Sequence, residues 1–200
     1  KDSNIHIVGS DVAGINSTSL SADNDVTLES AQSTSSEHST NSSSGWSAGV
    51  AFSQGFSVTA SVNQANGNGD GHSVTQDNTH VGSSTGTTSI TAGGTTTLAG
   101  AQVTGNTVNV TTENLVIESR QDTSSYTSHQ KSMSAGVSIP IAGAGFGVNG
   151  SFSNSNIDAS YASVNEQSGI MAGDGGYKVI VKGDTTLTGG IITSTQAAED

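Results

Sequence analysis

Aliphatic residues in this chain are sparse and come in short runs where every second position is apolar. Asp25-Val-Thr-Leu28, Asn106-Thr-Val-Asn-Val110, Asn114-Leu-Val-Ile117 and Lys178-Val-Ile-Val181 are the clearest. Alternation over four to six residues, bounded by Gly, Asn or Asp, is the signature of a β-strand. Helix signals are nearly absent. Each run is short enough to be one rung of a coil. The inward positions are expected at Val12, Leu20, Val26, Leu28, Ile90, Leu98, Val103, Val108, Val110, Leu115, Ile117, Val179, Val181, Leu187 and Ile191.

The pattern repeats. Gly9-Ser-Asp-Val-Ala-Gly14 returns as Gly100-Ala-Gln-Val-Thr-Gly105, with a third echo from Gly189. Val26-Thr-Leu-Glu-Ser30 returns as Leu115-Val-Ile-Glu-Ser119, Ser47-Ala-Gly-Val50 as Ser134-Ala-Gly-Val137, and Thr97-Leu-Ala-Gly100 as Thr186-Leu-Thr-Gly189. The spacing is about 90 residues, which points to a stacked array. Repeat units are expected at approximately 8–97 and 98–187, with a third beginning at 188.

Each unit has two parts. Residues 5–30, 88–119 and 177–193 are the aliphatic-punctuated coil. Residues 31–87 and 120–170 are excursions that open on a Ser-rich run and then alternate. Gly49-Val-Ala-Phe52 with Phe56-Ser-Val-Thr-Ala-Ser-Val62 reads as one β-hairpin. Gly136-Val-Ser-Ile139 with Gly145-Phe-Gly-Val-Asn-Gly-Ser-Phe152 reads as another.

Composition narrows the architecture. Of 200 residues only 31% are hydrophobic and 4% aromatic, while 60 are Ser or Thr and 26 Gly. Ordering each residue costs roughly 1–2 kcal/mol, which so little apolar surface cannot offset in a conventional globular core. A thin solenoid needs only a few aliphatics per layer. The reading is therefore all-β: a parallel β-helix with projecting β-hairpin excursions, as one fragment spanning 1–200.

Charge and cysteine content exclude several functions. The net charge is −12, with five Lys or Arg and Arg120 the sole arginine. Phosphate contacts need a basic footprint, so no nucleic acid is expected as a partner. Attraction to anionic lipid is disfavoured on the same ground. There is no cysteine, hence no disulfide and no thiolate metal site. No run approaches ~18 consecutive apolar residues, the length of a membrane-spanning helix. Lys1-Asp2-Ser3-Asn4 is not a signal peptide, and the chain is expected to be internal to something longer.

The unit resembles the haemagglutinin repeat of filamentous haemagglutinins and contact-dependent growth-inhibition toxins. The residues that carry the resemblance are the Gly-x-x-Val-x-Gly steps, Asn114-Leu-Val-Ile-Glu-Ser-Arg-Gln-Asp122, and the stretch from Tyr161 through Glu166-Gln-Ser-Gly-Ile-Met-Ala-Gly-Asp-Gly-Gly-Tyr177 into Gly183-Asp-Thr-Thr-Leu-Thr-Gly-Gly190. The first unit's counterpart, Thr79 to Thr97, lacks the Glu-Gln-Ser-Gly part. The resemblance implies a right-handed β-helix, export by an outer-membrane two-partner secretion transporter, and display on the bacterial surface. It further implies a filament ending, in inhibition toxins, in a toxin domain that presents the only surface for an immunity protein. It also implies a role in helping toxin cross the target cell's outer membrane.

Candidate chemistry is thin. Gly45-Trp-Ser-Ala-Gly49 fits the nucleophile-elbow pattern around Ser47, but that motif needs a helix after the serine and strand follows here. Asn66-Gly-Asn-Gly-Asp-Gly71 with Asp77 loosely resembles a calcium loop, against a plain hairpin-tip turn. Gly173-Asp-Gly-Gly176 reads as a structural turn. The five histidines, His6, His38, His72, His80 and His129, have no zinc-ligand spacing. Asp122, Glu166 and Asp174 are the acids a polysaccharide-cleaving β-helix would need. None is taken as catalytic, cofactor-binding or metal-binding, and no enzyme activity or cofactor is expected. The hairpin faces alternate apolar and small polar residues, as outer-membrane strands do. Packing on the flank of the shaft and insertion into a target membrane are the two readings of that alternation, and the first is preferred. The function expected is the shaft or translocation segment of an inhibition toxin or filamentous haemagglutinin. The alternatives are an adhesin rod for host glycans or receptors, and a carbohydrate enzyme.

Overall fold

The computed structural model describes residues 2–51, 56–142 and 146–199. These form two compact units. One comprises Lys1–Thr34, Val74–Thr123 and Ala162–Asp200, the other Ser35–Ser73 and Ser124–Tyr161.

The first unit is a three-faced parallel β-helix. The chain runs face to face in order. The first coil is β1 (Ile5–Val8), β2 (Asp11–Gly14) and β3 (Ser17–Ala22). The second opens with β4 (Val26–Glu29), leaves through β5 (Ala31–Ala51) and β6 (Phe56–Asp77), and resumes with β7 (Thr79–Ser83) and β8 (Thr87–Ala92). The third is β9 (Thr95–Ala99), β10 (Ala101–Gly105) and β11 (Thr107–Thr112). The fourth opens with β12 (Asn114–Glu118), leaves through β13 (Asp122–Ala142) and β14 (Gly147–Ser163), and resumes with β15 (Gly169–Ala172) and β16 (Tyr177–Val181). β17 (Thr185–Thr188) and β18 (Ile191–Thr193) follow. The faces are the parallel sheets β1-β4-β9-β12-β17, β2-β7-β10-β15-β18 and β3-β8-β11-β16.

The register explains why so few aliphatics suffice. Parallel pairing sets each inward side chain directly over its counterpart one layer away, so a handful of residues makes a continuous column. On the first face the column is Ile7, Leu28, Leu98, Ile117 and Leu187. On the second it is Val12, Val81, Val103, Ile170 and Ile192. On the third it is Leu20, Ile90, Val110 and Val179. Leu28, Leu98, Val103 and Ile117 are 0% exposed. At about 1.5–3 kcal/mol per fully buried aliphatic side chain, these columns are the main driving force of the unit.

The register also resolves the repeat. Leu28 pairs with Leu98, 70 positions on, and Ile117 with Leu187, again 70 on, whereas Leu98 and Ile117 are 19 apart. The ~90-residue period is thus two coils: a plain one and one interrupted by a hairpin.

The corner between the first and second faces determines which kind of coil follows. Its residues stack as Gly9, Ser30, Gly100 and Ser119, each backbone N–H donating to the carbonyl of the next layer: Glu29, Ala99, Glu118 and Thr188. Where the chain turns the corner, Gly9 and Gly100 have φ of +49° and +69°. Where it leaves, serine stands instead. Gly100 is also confined, because a Cβ there would lie 2.5 Å from Ser30 Oγ. Each excursion is closed at its return by a buried hydroxyl. Thr79 Oγ1 donates to the Glu29 carbonyl (2.7 Å) and accepts from the Ser10 N–H. Ser168 Oγ donates to the Glu118 carbonyl (2.8 Å) and accepts from the Ala101 N–H. The corner between third and first faces is held by Asx side chains. Asn4, Asp25 and Asn114 accept from the backbone N–H groups of Asp25, Thr95 and Asp184 one layer on.

Four sequence expectations are corrected. The coil resumes at Thr79 and Gly169, not 88 and 177, so Val81 and Ile170 belong to the core and not to the excursions. Ile192, not Ile191, packs on the second-face column, because Ile191 stands in register with Gly169. Leu187 is 44% exposed, since β17 has a partner layer on one side only among the described residues. Val12, Leu20, Val179 and Val181 are half-buried against the core instead of enclosed.

The second unit is built from β5, β6, β13 and β14, which form one sheet in the order β14-β13-β6-β5. Its side-chain pairs run in opposite directions along the hairpins: Ser47 with Ser61, Ser42 with Asn66, His38 with Asp70. In the second hairpin, Ser134 pairs with Ser151 and His129 with Asn156. The two expected hairpins are therefore halves of one antiparallel sheet. The Ser-rich openings are themselves strand. Phe52 and Gly145, expected near the hairpin ends, lie outside the described residues.

Candidate functional site

Strand alternation sorts the second unit into two faces. On β5, β6 and β14 the even-numbered residues share a face with the odd-numbered residues of β13. In one half of that face, Trp46, Val62, Met133 and Ala135 line one recess. Ala60, Val62, Ala135, Val137 and Val148 line the next. Ile139, Phe146 and Phe152 extend the patch. None of the large members is buried, and Trp46 is 81% exposed and Phe152 71%. In the other half of the same face the lining turns polar: Asn66, Asn68, His129, Lys131, Asn154 and Asn156 surround a recess of about 530 Å3. The opposite face is dominated by small polar residues, among them the Ser47–Ser61 and Ser134–Ser151 pairs at 2.7 and 2.8 Å. One sheet thus carries an open apolar zone beside an amide-rich one. Scattered exposed aliphatics are ordinary, but contiguous ones mark a surface that meets something.

The residues singled out by motif take other roles. Ser47 lies within β5, near its C-terminal end, and its Oγ bonds Ser61 Oγ; strand runs on both sides, where a nucleophile elbow needs a helix after the serine. Asn66–Gly71 is not a hairpin tip but the centre of β6. Asn66 Oδ1 accepts from Ser42, and Asp70 pairs with His38; extended backbone cannot wrap a cation. Gly173–Gly176 is a turn closed by the Gly176 N–H on the Gly173 carbonyl, and Asp174 accepts from Thr195 Oγ1.

The histidines are spread over both units. His6 pairs with Glu29, His38 with Asp70, and His129 with Asn156. His72 lies in β6. His80 bridges two carboxylates, Asp11 of β2 at 3.0 Å and Glu166, in the return of the second excursion, at 3.2 Å. Asp122 and Glu166 do come together in a recess of about 250 Å3 with Arg120, while Asp174 does not. Asp122 accepts from the Gln76 N–H (2.6 Å) and from Asn165 Nδ2, tying the first excursion's return to the second's start and end. Both carboxylates are thereby committed to holding the excursions' necks. Among the described residues no group of three or more His, Asp or Glu is arranged to hold a metal ion.

The apolar zone was partly legible as alternation in Val58–Val62 and Gly136–Ile139. The union of the two hairpins was not, because nothing in either hairpin names its neighbour. The hydroxyl clasps at Thr79 and Ser168 are not legible in the sequence, since one Ser or Thr among 60 carries no signal.

Comparison with known proteins bears on all of this. The chain matches the Hemagglutinin repeat family over residues 1–133 and again over 126–199. It is 40% identical over 98% of its length to the Deoxyribonuclease CdiA of Yersinia pseudotuberculosis serotype O:3, covering 18% of that protein. It is 39% identical over 98% of its length to the Toxin CdiA of Yersinia pestis, and 38% over 94% to the Toxin CdiA of Escherichia coli, covering 6% of each. It therefore spans a small part of the curated relatives it matches. No solved structure matches. A two-coil repeat, aliphatic columns and two family matches along its length agree: the chain belongs to the haemagglutinin-repeat family, as a shaft segment of the contact-dependent inhibition and filamentous haemagglutinin type.

Proposed function

We propose that this segment is a spacer and presenter in a secreted, surface-displayed exoprotein, helping deliver a C-terminal toxin to a neighbouring bacterium. The observation that carries the reading is the unbroken column Leu28–Leu98–Ile117, a rod that needs no cofactor and grows by repetition. The relatives support the division of labour. Proteins named for DNA cleavage and for tRNA cleavage match this chain at similar identity, 40% and 39%. The shared segment is then not what sets the nuclease, which resides in the remainder of those proteins. The partners that go with this reading are an outer-membrane two-partner secretion transporter and the target cell's outer membrane or a surface receptor. An immunity protein belongs to the toxin domain alone. The test is in-frame removal of residues 29–117, one whole two-coil unit, from the parent protein. The expected result is retained surface display with reduced inhibition of neighbouring cells. Undiminished inhibition contradicts a delivery role, and loss of host-cell adhesion with inhibition intact supports the adhesin alternative.

One observation favours a second reading of the hairpin sheet. Its contiguous exposed apolar zone, from Trp46 to Phe152, suits contact with a target membrane. Co-flotation of the purified chain with outer-membrane lipid vesicles is the expected outcome. Vesicles left intact and unbound remove that reading without touching the first.

A further inference from the structure

We propose that the amide-rich recess of the hairpin sheet is a binding site for a neutral, hydroxyl-rich oligosaccharide, with Trp46 as a stacking platform at one end. This goes beyond the delivery reading and gives a site and a ligand class to the adhesin alternative.

Alternation along the strands builds a trough. On one face of the sheet β6 presents Gln64, Asn66 and Asn68, and β14 presents Asn154 and Asn156. Lys131 and His129 of β13, the strand between them, form the floor. The flanking strands are two interstrand spacings apart, about 10 Å, and Gln64 to Asn68 spans about 14 Å. The recess around Asn66 and Asn68 holds about 530 Å3. That falls within the roughly 300–1,000 Å3 of small-molecule sites.

The hydrogen-bonding groups select the ligand. Asn66 Oδ1 accepts from the Ser42 hydroxyl at 2.9 Å, which leaves the Asn66 amide N–H groups as donors. Asn156 Oδ1 accepts from the His129 Nδ1–H at 2.9 Å. That leaves the Asn156 amide N–H groups as donors and His129 Nε2 as an acceptor in the neutral ring. Lys131 adds donors, and Asn68 and Asn154 each bring a carbonyl oxygen and an NH2. Donors and acceptors are thus interleaved. An anion only accepts and would leave the acceptors unmatched. A hydroxyl both donates and accepts, and vicinal hydroxyls suit the adjacent N–H and C=O of a carboxamide.

Charge points the same way. Lys131 is the one lysine or arginine in the lining. Asp70 and Asp158 take the next positions of β6 and β14 on this face, two residues beyond Asn68 and Asn156. With a net charge of −12 the chain repels acidic polymers.

The other end of the trough is apolar. Trp46 stands beside Val62, four residues or about 14 Å before Asn66, in a recess shared with Gln64 and Met133. At 81% exposure its indole is open to stack on the C–H face of a sugar ring.

The test is saturation-transfer NMR and titration of the whole chain with maltotetraose, cellotetraose, chitotetraose and lacto-N-tetraose as neutral probes. Tetragalacturonate and sialyllactose are the acidic ones. At least one neutral probe should bind, and neither acidic probe should bind as tightly. Asn68→Ala/Asn154→Ala should weaken binding by about tenfold or more, as expected for one or two lost hydrogen bonds. Trp46→Ser should weaken it by about threefold or more. Ser153→Ala, on the opposite face, should leave it unchanged. All four positions are exposed, so the fold is not at stake, and a strand-type circular dichroism spectrum of each variant verifies it. Absence of binding by every neutral probe, equal binding of an acidic one, or binding that survives the double variant overturns the proposal. Delivery is read separately, by inhibition in the parent protein, so failure of either leaves the other standing.

Discussion

The two units solve the same problem, stacking strands of a polar sequence, in opposite ways. In the β-helix every layer turns a few Val, Leu or Ile inward, and the side chains at the centre of the columns are sealed from solvent. In the hairpin sheet the strands are four times longer, yet the large apolar residues, from Trp46 to Phe152, are open. Closure into a three-sided coil covers the inner face of each parallel sheet, while the outward positions alternate toward solvent. An open antiparallel sheet tolerates a wet face. Stability therefore resides in the coils, while the sheet is free to present its surface.

That contrast can be broken most sharply in the column. Leu98→Ala removes a side chain buried between Leu28 and Ile117 and leaves a void the neighbouring layers cannot fill. A loss of about 2–5 kcal/mol is expected in denaturant unfolding. Ser168→Ala removes the hydroxyl that closes the second excursion and leaves the Glu118 carbonyl and Ala101 N–H without it. It should cost about 1–3 kcal/mol. Gly100→Ala forces a left-handed backbone on a residue with a Cβ and crowds Ser30; about 1–2 kcal/mol is expected in the same measurement. Thr96→Val should act in the other direction. Its Oγ1 is buried with no hydrogen-bond partner, in a column shared with Val26 and Leu115, so the isosteric swap should stabilise by about 1 kcal/mol. The smallest effect belongs to the sheet: Trp46→Ser, at a fully open position, should stay within about 0.5 kcal/mol.

The coils were legible because their signal is local. Val26-Thr-Leu28 and Leu115-Val-Ile117 alternate, and the same alternation recurs one period later. Thr79-His-Val-Gly-Ser83 was not legible, because a single valine between Gly, Ser and His has no period to read; its strand is imposed by the layers on either side. Ile191 and Ile192 show the same limit. Adjacent isoleucines cannot say which one faces inward, and only the register with Ile170 does. The glycines of Asn66–Gly71 read as a turn because glycine permits one. Pairing with β5 and β13 holds that stretch extended, and the calcium-loop resemblance goes with it. The two-coil nature of the repeat was concealed because the excursion is longer than the coil it interrupts. Ser47 and Asp70 are taken up in cross-strand pairs, and Asp122 and Glu166 in the necks of the excursions.

Amide hydrogen exchange tests the division between sealed coils and open sheet most directly. The amides of the Leu98, Val103, Val110 and Ile117 layers should exchange only through global opening, with equal protection on all three faces. Residues 35–73 and 124–161 should exchange through smaller, independent openings. Hairpin strands as protected as those layers, or a column whose three faces open separately, would contradict the account.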